Sequence, residues 1–328
     1  MRMAVATVGI VVFSCLLAPM EPAIGQSSAG TYPSKPVRLV VPFAPGGTDI
    51  IARLLGPKLS DALGQQFVID NRPGAGGAVG AEIVARAAPD GYTLLLANPG
   101  PNIHNALLRK KPPYAVSDFA AIVYIGYAPL IIVANPKFPP NNVSELIAYA
   151  KAKPGKVSWG SSGTNSNPHV ALELLKAITG VNIVHVPYKG SGPALTDTVG
   201  GHIDAMYTTT MTAEAHIKSG RVKILGSAGK KRQAVISDVP TLVEQGIKGA
   251  EAMVWLGLVT AAKTPRSIID KLNRQVNQAL GMPDVRQRLE QLGIEIEGGT
   301  PEKFGAFIKA EVETLTRLIK AGAVQQTD

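Results

Sequence analysis

The residues with most capacity for chemistry in this chain are small and neutral, and they gather where apolar runs end. In Phe43-Ala44-Pro45-Gly46-Gly47-Thr48-Asp49, prolines and glycines stop the aliphatic run Val37 to Val41 just before a helical pattern, IIARLLGPKLSDAL, begins. A strand that turns through glycine into a helix leaves backbone N–H groups free at the positive end of the helix dipole. That geometry holds an anion such as a carboxylate or a phosphate. The N–H groups of Gly46, Gly47 and Thr48 are the expected donors, and the Thr48 hydroxyl adds another. Asp49, at the end of this candidate wall, is expected to cap the helix rather than meet an anion, because a carboxylate accepts hydrogen bonds at a first turn. A plain strand-to-helix turn would use the same glycines.

A second candidate wall follows the run at Val157: Gly160-Ser161-Ser162-Gly163-Thr164-Asn165-Ser166-Asn167-Pro168-His169. Small hydroxyl and amide groups ahead of a helix offer many hydrogen bonds without bulk. A solvated loop with a helix cap has the same composition. His169, at the loop-to-helix junction, either touches ligand or caps and packs. Tyr188, Lys189 and Gly190, in VPYKGSGP, end a further strand. Tyr188 can lay a ring along a ligand, and Lys189 is either a positive charge at the cleft mouth or a surface charge. Thr208 and Thr209 offer hydroxyls at the end of another strand, and Asn98 follows the run Leu94 to Leu96 with an amide in a proline-rich loop. Arg72, beside the glycines of DNRPGAGG, either supports that turn or pairs with a distal carboxylate.

Other chemistries lack their spacing. Gly74, Gly76 and Gly80 miss the G-x-G-x-x-G dinucleotide frame by one residue, and no lysine completes a phosphate loop. Gly160-Ser161-Ser162-Gly163 is not a nucleophile elbow. The five histidines, His104, His169, His185, His202 and His216, show no metal-ligand spacing with cysteine or acidic partners. No acid–base pair stands out, so neither catalytic residues nor a metal or other cofactor is expected.

The elements that must position these loops alternate along the chain. Strand patterns fall at Val37 to Val41, Phe67 to Ile69, Thr93 to Ala97, Ala121 to Ile125, Leu130 to Ala134, Val157 to Gly160, Ile183 to Val186, Ala205 to Thr208, Ile224 to Ser227 and Glu251 to Val259. Helical patterns lie between them, and the alternation predicts an α/β fold with mainly parallel sheets flanked by helices. No repeat and no flexible linker interrupts it. Two lobes are expected, joined by strands near Tyr127 to Leu130 and near Trp255 to Gly257, an arrangement that closes on a ligand as rigid bodies.

The first residues read as an export signal. Arg2 precedes the apolar run Ala4 to Ala18, and Ala23-Ile24-Gly25 is a small-x-small cleavage site, which makes residues 1–25 a signal peptide. A retained anchor is the competing reading, but a run of about 15 residues is short of the roughly 20 that span a bilayer. The single cysteine, Cys15, lies inside that run, so the mature chain carries no thiol and relies on its core alone. The formal net charge of +9 suits anionic small molecules. Basic residues are scattered, and Lys230-Lys231-Arg232 lacks interleaved aromatics, which argues against nucleic acid.

The ordered motifs YPSKPVRLVVPFAPGG, DNRPGAGGAVGAEIVARAAPDGYTLLLA, SELIAYAKAKPGKVSWGSSG, VHVPYKGSGPALTD and DVPTLVEQG resemble the Bug-type substrate-binding receptors of tripartite tricarboxylate transporters, from about Tyr32 to the C-terminus. The resemblance implies a periplasmic two-lobe receptor of Venus-flytrap architecture, monomeric, with residues 32–128 plus 257–328 as lobe 1 and 129–256 as lobe 2. It implies a small organic anion in the cleft, a di- or tricarboxylate or an aromatic carboxylate, delivered to membrane permease subunits. This chain departs from the family in two places. One residue fewer separates Gly47 from Asp49, and Thr208-Thr209-Thr210 stand where an acidic or amide residue and a proline are common. Neutral hydroxyls there favour plain carboxylates over amino acids. Rival readings are a ligand-sensing partner of a membrane sensor kinase and an α/β hydrolase or transferase.

Overall fold

The aliphatic runs become strands because both of their faces are covered. A computed structural model describes residues 32–322 and 324–327. In strand β1 (Val37–Val41), Val37, Leu39 and Val41 enter one core cluster while Val40 enters another on the opposite face. A strand buried on both sides reads as an unbroken hydrophobic run rather than an alternation. The remaining strands are β2 (Phe67–Asn71), β3 (Thr93–Ala97), β4 (Phe119–Pro129), β5 (Ile131–Ala134), β6 (Val157–Ser161), β7 (Ile183–Pro187), β8 (Ala205–Thr208), β9 (Lys223–Ser227), β10 (Met253–Ala261) and β11 (Glu295–Ile296).

They form two sheets, one per lobe. The first has the order β11-β4-β10-β3-β1-β2 and the second β7-β6-β8-β5-β9. The two-lobe α/β architecture matches the expectation, but the sheets are mixed rather than mainly parallel. Pairings of β1 with β2 and β3, and of β6 with β7 and β8, are parallel, whereas β4, β5 and β10 pair antiparallel with their neighbours. The reason is the crossover. A chain that leaves one sheet along β4 and returns along β10 lays these strands side by side in opposite directions, with nine residue pairs from Met253–Pro129 to Ala261–Phe119.

At the crossover three backbone segments tie together. Leu130 N–H donates to Ala252 C=O at 2.9 Å, Ala252 N–H to Ala228 C=O at 2.9 Å, and Ala228 N–H to Leu130 C=O at 2.8 Å. The return lies at Ala252–Met253, just before the expected Trp255 to Gly257. Trp255 instead sits inside β10, fully buried against Phe304 and Phe307. Elements that were not foreseen include the helix Pro283–Gln291, the one-turn helix Asn105–Leu108 and the two-residue β11. The expected signal peptide and Cys15 lie outside the described residues. Among the described residues no helix is long and apolar enough to cross a membrane.

Candidate functional site

Four helices point their N-termini at one cavity between the lobes. They are Thr48–Leu63 from the first lobe and Asn167–Thr179, Ser191–Gly200 and Thr210–Lys218 from the second. Each begins directly after a strand–loop unit, so the sheet edges set where the helix ends lie. The cavity holds about 50 Å³ and is lined by Phe43, Gly46, Gly47, Thr48 and Asn98 on one side. Ser162, Asn167, Pro168, Ser191, Thr208, Thr209, Met211 and Thr212 line the other, and Leu130 and Val254 close it at the crossover.

No charged side chain lines this space. Its electrostatics come from the backbone. The helices beginning at Thr48, Asn167 and Ser191 have no side-chain cap, whereas Thr209 caps its own helix by accepting from Thr212 N–H; in the first of them Asp49 and Ile50 N–H already donate to Gly46 and Gly47 C=O, and Pro168 brings no N–H to the second. Converging helix dipoles favour a negative group by up to about 1 kcal/mol each at an exposed site and more in a partly buried one. Two hydroxyls add to this: Thr48 Oγ1 and Thr208 Oγ1, one from each lobe, are buried without a protein partner. Phe43, Leu130, Pro168, Met211 and Val254 make the rest apolar.

The lobes meet around the cavity through glycine. Ala44 N–H donates to Lys189 C=O at 3.1 Å across the seam. A Cβ at Gly76 would lie 1.9 Å from Thr164 O, and one at Gly192 would lie 2.6 Å from Pro45 O. Such approaches are open only to a residue without a side chain. The seam is backed by side chains too: Asn165 Nδ2 donates to Thr327 Oγ1 at 2.7 Å, and Arg288 of one lobe grips Glu214 of the other at 2.9 and 3.3 Å. Hydrogen bonding to Arg288 and Lys218 holds the Glu214 carboxyl below the usual range.

Of the residues singled out from sequence, Phe43, Gly46, Gly47, Thr48, Asn98, Ser162, Thr208 and Thr209 come together on the cavity. Ala44, Pro45, Gly163, Thr164, Lys189 and Gly190 form or flank the seam instead, and Lys189 is exposed. Asp49 does not cap: Gly47 is the N-cap, and the carboxylate turns away to pair with Arg53 at 2.8 Å. Tyr188 spends its hydroxyl on the Asp197 carboxylate at 2.7 Å, and burial pushes its pKa up to about 12. Its ring is not on the cavity. Arg72 pairs with Asp70 beside its turn.

His169 packs rather than lines. Its Nδ1 accepts from Asn165 N–H at 3.1 Å, and its ring lies 4.1 Å from that of His185. His185 Nε2 meets Ser161 Oγ at 2.6 Å, and that hydroxyl also accepts from Gly163 N–H at 3.1 Å. Ser161, Asn165, His169 and His185 therefore brace the loop that carries Ser162. Burial pulls both histidines down to about 4, so both are neutral near pH 7. Among the described residues no group of three or more histidine, cysteine or acidic side chains could hold a metal.

The family model for the tripartite tricarboxylate transporter family receptor matches residues 51–324. The chain belongs to this receptor family. Solved structures agree in fold and in length. The periplasmic binding protein BugD is 37% identical with a TM-score of 0.86, covering 90% of this chain and all of that one. Rpa4515 of R. palustris, solved with adipate, is 34% identical with a TM-score of 0.84, covering 88% and 97%. MatC of Rhodopseudomonas palustris, solved with malate, is 33% identical with a TM-score of 0.83, covering 86% and 98%. The protein is thus a two-lobe solute receptor of a transport family, the family its motifs resembled.

Seven lining residues of the receptor were not singled out as ligand residues from sequence. Ser191 and Thr212 carried a readable signal, since each lies in a helix first turn, Ser191 inside the motif VPYKGSGP and Thr212 beside Thr208-Thr209-Thr210. Asn167 and Pro168 stood inside the second candidate wall. Leu130, Met211 and Val254 carried none, because an apolar residue in an apolar run looks the same whether it faces core or ligand.

Proposed function

We propose that this receptor binds a small organic carboxylate in the interlobe cavity in the periplasm and presents the closed form to permease subunits of a tripartite transporter, without catalysing a reaction. The observation that carries the reading is the convergence of four helix N-termini on a cavity with no charged side chain and two unpartnered hydroxyls. A carboxylate satisfies that donor set, and a cation does not. Adipate and malate in the two related structures belong to the same chemical class. The lobes divide at Pro129–Leu130 and Ala252–Met253, and a ligand touching both walls favours closure by its differential contacts.

One observation favours a hydrolytic reading, the 2.6 Å pairing of Ser161 with His185. A nucleophile must face substrate, and this serine is fully buried, off the cavity, with its oxygen engaged by Gly163 N–H. The pair is a loop brace. The test of the receptor reading is a thermal-shift screen of protein refolded free of carried ligand, against dicarboxylates, tricarboxylates, aromatic carboxylates and amino acids. A ligand at a hundred times its Kd stabilises the native state by about 2.7 kcal/mol. A shift confined to carboxylates supports the reading; a folded protein that shifts with none of them refutes it.

A further inference from the structure

We propose that the seam between the lobes senses protons: His104 of the first lobe must be neutral for the receptor to close, so acid opens the receptor and weakens its hold on ligand. The inference rests on the receptor reading above, not on which anion is bound, and its residues lie off the cavity. The turn Gly100–His104 carries a ring of the first lobe up to the second. His104 hydrogen-bonds the Asn165 backbone and faces His169, both of the other lobe. The approach is close: a Cβ at Gly100 would lie 3.1 Å from Ser166 Cα and 3.4 Å from Asn165 O. His169 in turn lies 4.1 Å from His185, ring to ring. Three imidazoles from two lobes thus meet where the lobes touch.

Little here compensates a positive charge. Asn165 N–H already donates to His169 Nδ1 at 3.1 Å, so His104 must donate to the Asn165 carbonyl, and the neutral ring keeps its proton there. His104 Nδ1 is buried without a partner, so the second proton of an imidazolium would sit on a donor with no acceptor. Among the described residues, the acid that acts on this cluster is Glu173, 3.8 Å from His169 Nε2 and gripped by Lys176 at 2.9 and 3.0 Å. Arg109, just beyond His104, turns to Asn105 Oδ1 and Ala75 C=O, and Glu82 on a neighbouring helix pairs with Arg86. The C-terminal segment that reaches Asn165 through Thr327 is neutral from Val324 to Thr327. Burial pulls His104 down to about 4, aided by His169 and opposed by the Asn165 bond. Parting the lobes withdraws Asn165 and His169, admits water to Nδ1 and returns the ring toward its ordinary 6.5. Between those values the open form binds more protons, so closure is favoured above pH 6.5 and loses ground as pH falls toward 4. His169 and His185 share one lobe and change surroundings less.

The experiment is titration calorimetry with adipate and with succinate at pH 7.5 and 5.5, on wild type and His104→Gln, with urea midpoints confirming that both are folded. Glutamine keeps a neutral N–H for the Asn165 carbonyl but takes up no proton, and titration of the probe itself cancels between the two proteins. Wild type is expected to weaken about tenfold more than the variant on going to pH 5.5, the linkage of this one histidine, while the two agree within about threefold at pH 7.5. Equal weakening overturns the inference and leaves the receptor reading standing. A second measurement needs neither the variant nor a bound probe. Cys15 is the one native cysteine, so a Cys15→Ser chain takes spin labels at Asp61→Cys and Lys151→Cys, exposed on opposite lobes. A larger share of long interlobe distances at pH 5.5 than at 7.5 upholds the inference, and a distribution unchanged with and without adipate overturns it. If neither probe binds at pH 7.5, the carboxylate reading falls and the distances alone decide.

Discussion

Substituting Gly76 by alanine separates the cost of closing the lobes from the cost of folding them. Gly76 has φ +63°, a left-handed conformation that penalises any Cβ by about 1–2 kcal/mol, and its Cβ would also lie 1.9 Å from Thr164 O of the other lobe. Real Cβ contacts do not fall below 3.0 Å, so the seam must part by more than 1 Å. Gly64 supplies the control, with φ +69° and nothing within 4 Å of the added carbon. Both variants carry the backbone strain, and only Gly76→Ala carries the clash. Parting the seam loosens the bonds from Ala44 to Lys189 and from Asn165 to Thr327, at about 1 kcal/mol each, which is roughly thirtyfold in Kd. The assay is calorimetric titration of both variants with the carboxylate found by screening, alongside urea unfolding without ligand. We expect similar unfolding free energies and a Kd ratio near thirty. A Gly76→Ala receptor that binds within threefold of Gly64→Ala would show that the cavity's affinity does not require this seam.

Three further outcomes follow from the packing. His169 and His185 sit near 4 in the folded chain against 6.5 when free, so between those values the unfolded state binds more protons. Stability is complete above pH 6.5 and falls as pH drops toward 4, by about 2 kcal/mol at pH 5 for one such histidine; urea midpoints at pH 7.5 and 5 measure it, and His169→Gln should flatten the dependence. Phe304 is fully buried, stacked on Tyr124 at 5.6 Å and edge-on to Trp255, so Phe304→Ala should cost about 3–5 kcal/mol by urea denaturation. Loss under 1 kcal/mol would refute that packing. Arg288→Ala should weaken ligand affinity no more than about fivefold, because its partner bond is half exposed. Its binding should also become less sensitive to salt, and an unchanged salt slope would show that the Glu214 pair does not assist closure.

How far the sequence is legible depends on which physical signal an element carries. Strands β1, β3 and β8 match their expected bounds because each is an apolar run stopped by glycine, proline, asparagine or threonine. Strand β4 was expected as Ala121 to Ile125 but runs Phe119–Pro129, since its length is set by the ladder with β10, which no local pattern announces. The helix Pro283–Gln291 escaped notice because it buries only Val285 and Leu289 among polar neighbours. At the candidate site, loops rich in glycine and hydroxyls lead into helix first turns. Which side chains of those loops face the cavity depends on the seam, and so Tyr188, Lys189 and His169 looked as suitable as Ser162.

The placement of β10 between β3 and β4 orders the birth of the fold. Strands β5 to β9 lie in one unbroken stretch of chain, so the second sheet has all its strands once Ser227 has been made. The first sheet cannot close then: β3 and β4 each keep a bare hydrogen-bonding edge until Met253–Ala261 arrives to fill the gap. Such edges invite pairing with other chains. A truncated chain ending before Met253 therefore holds every strand of the second sheet beside a first sheet with two bare edges, and the last quarter of the sequence is what covers them.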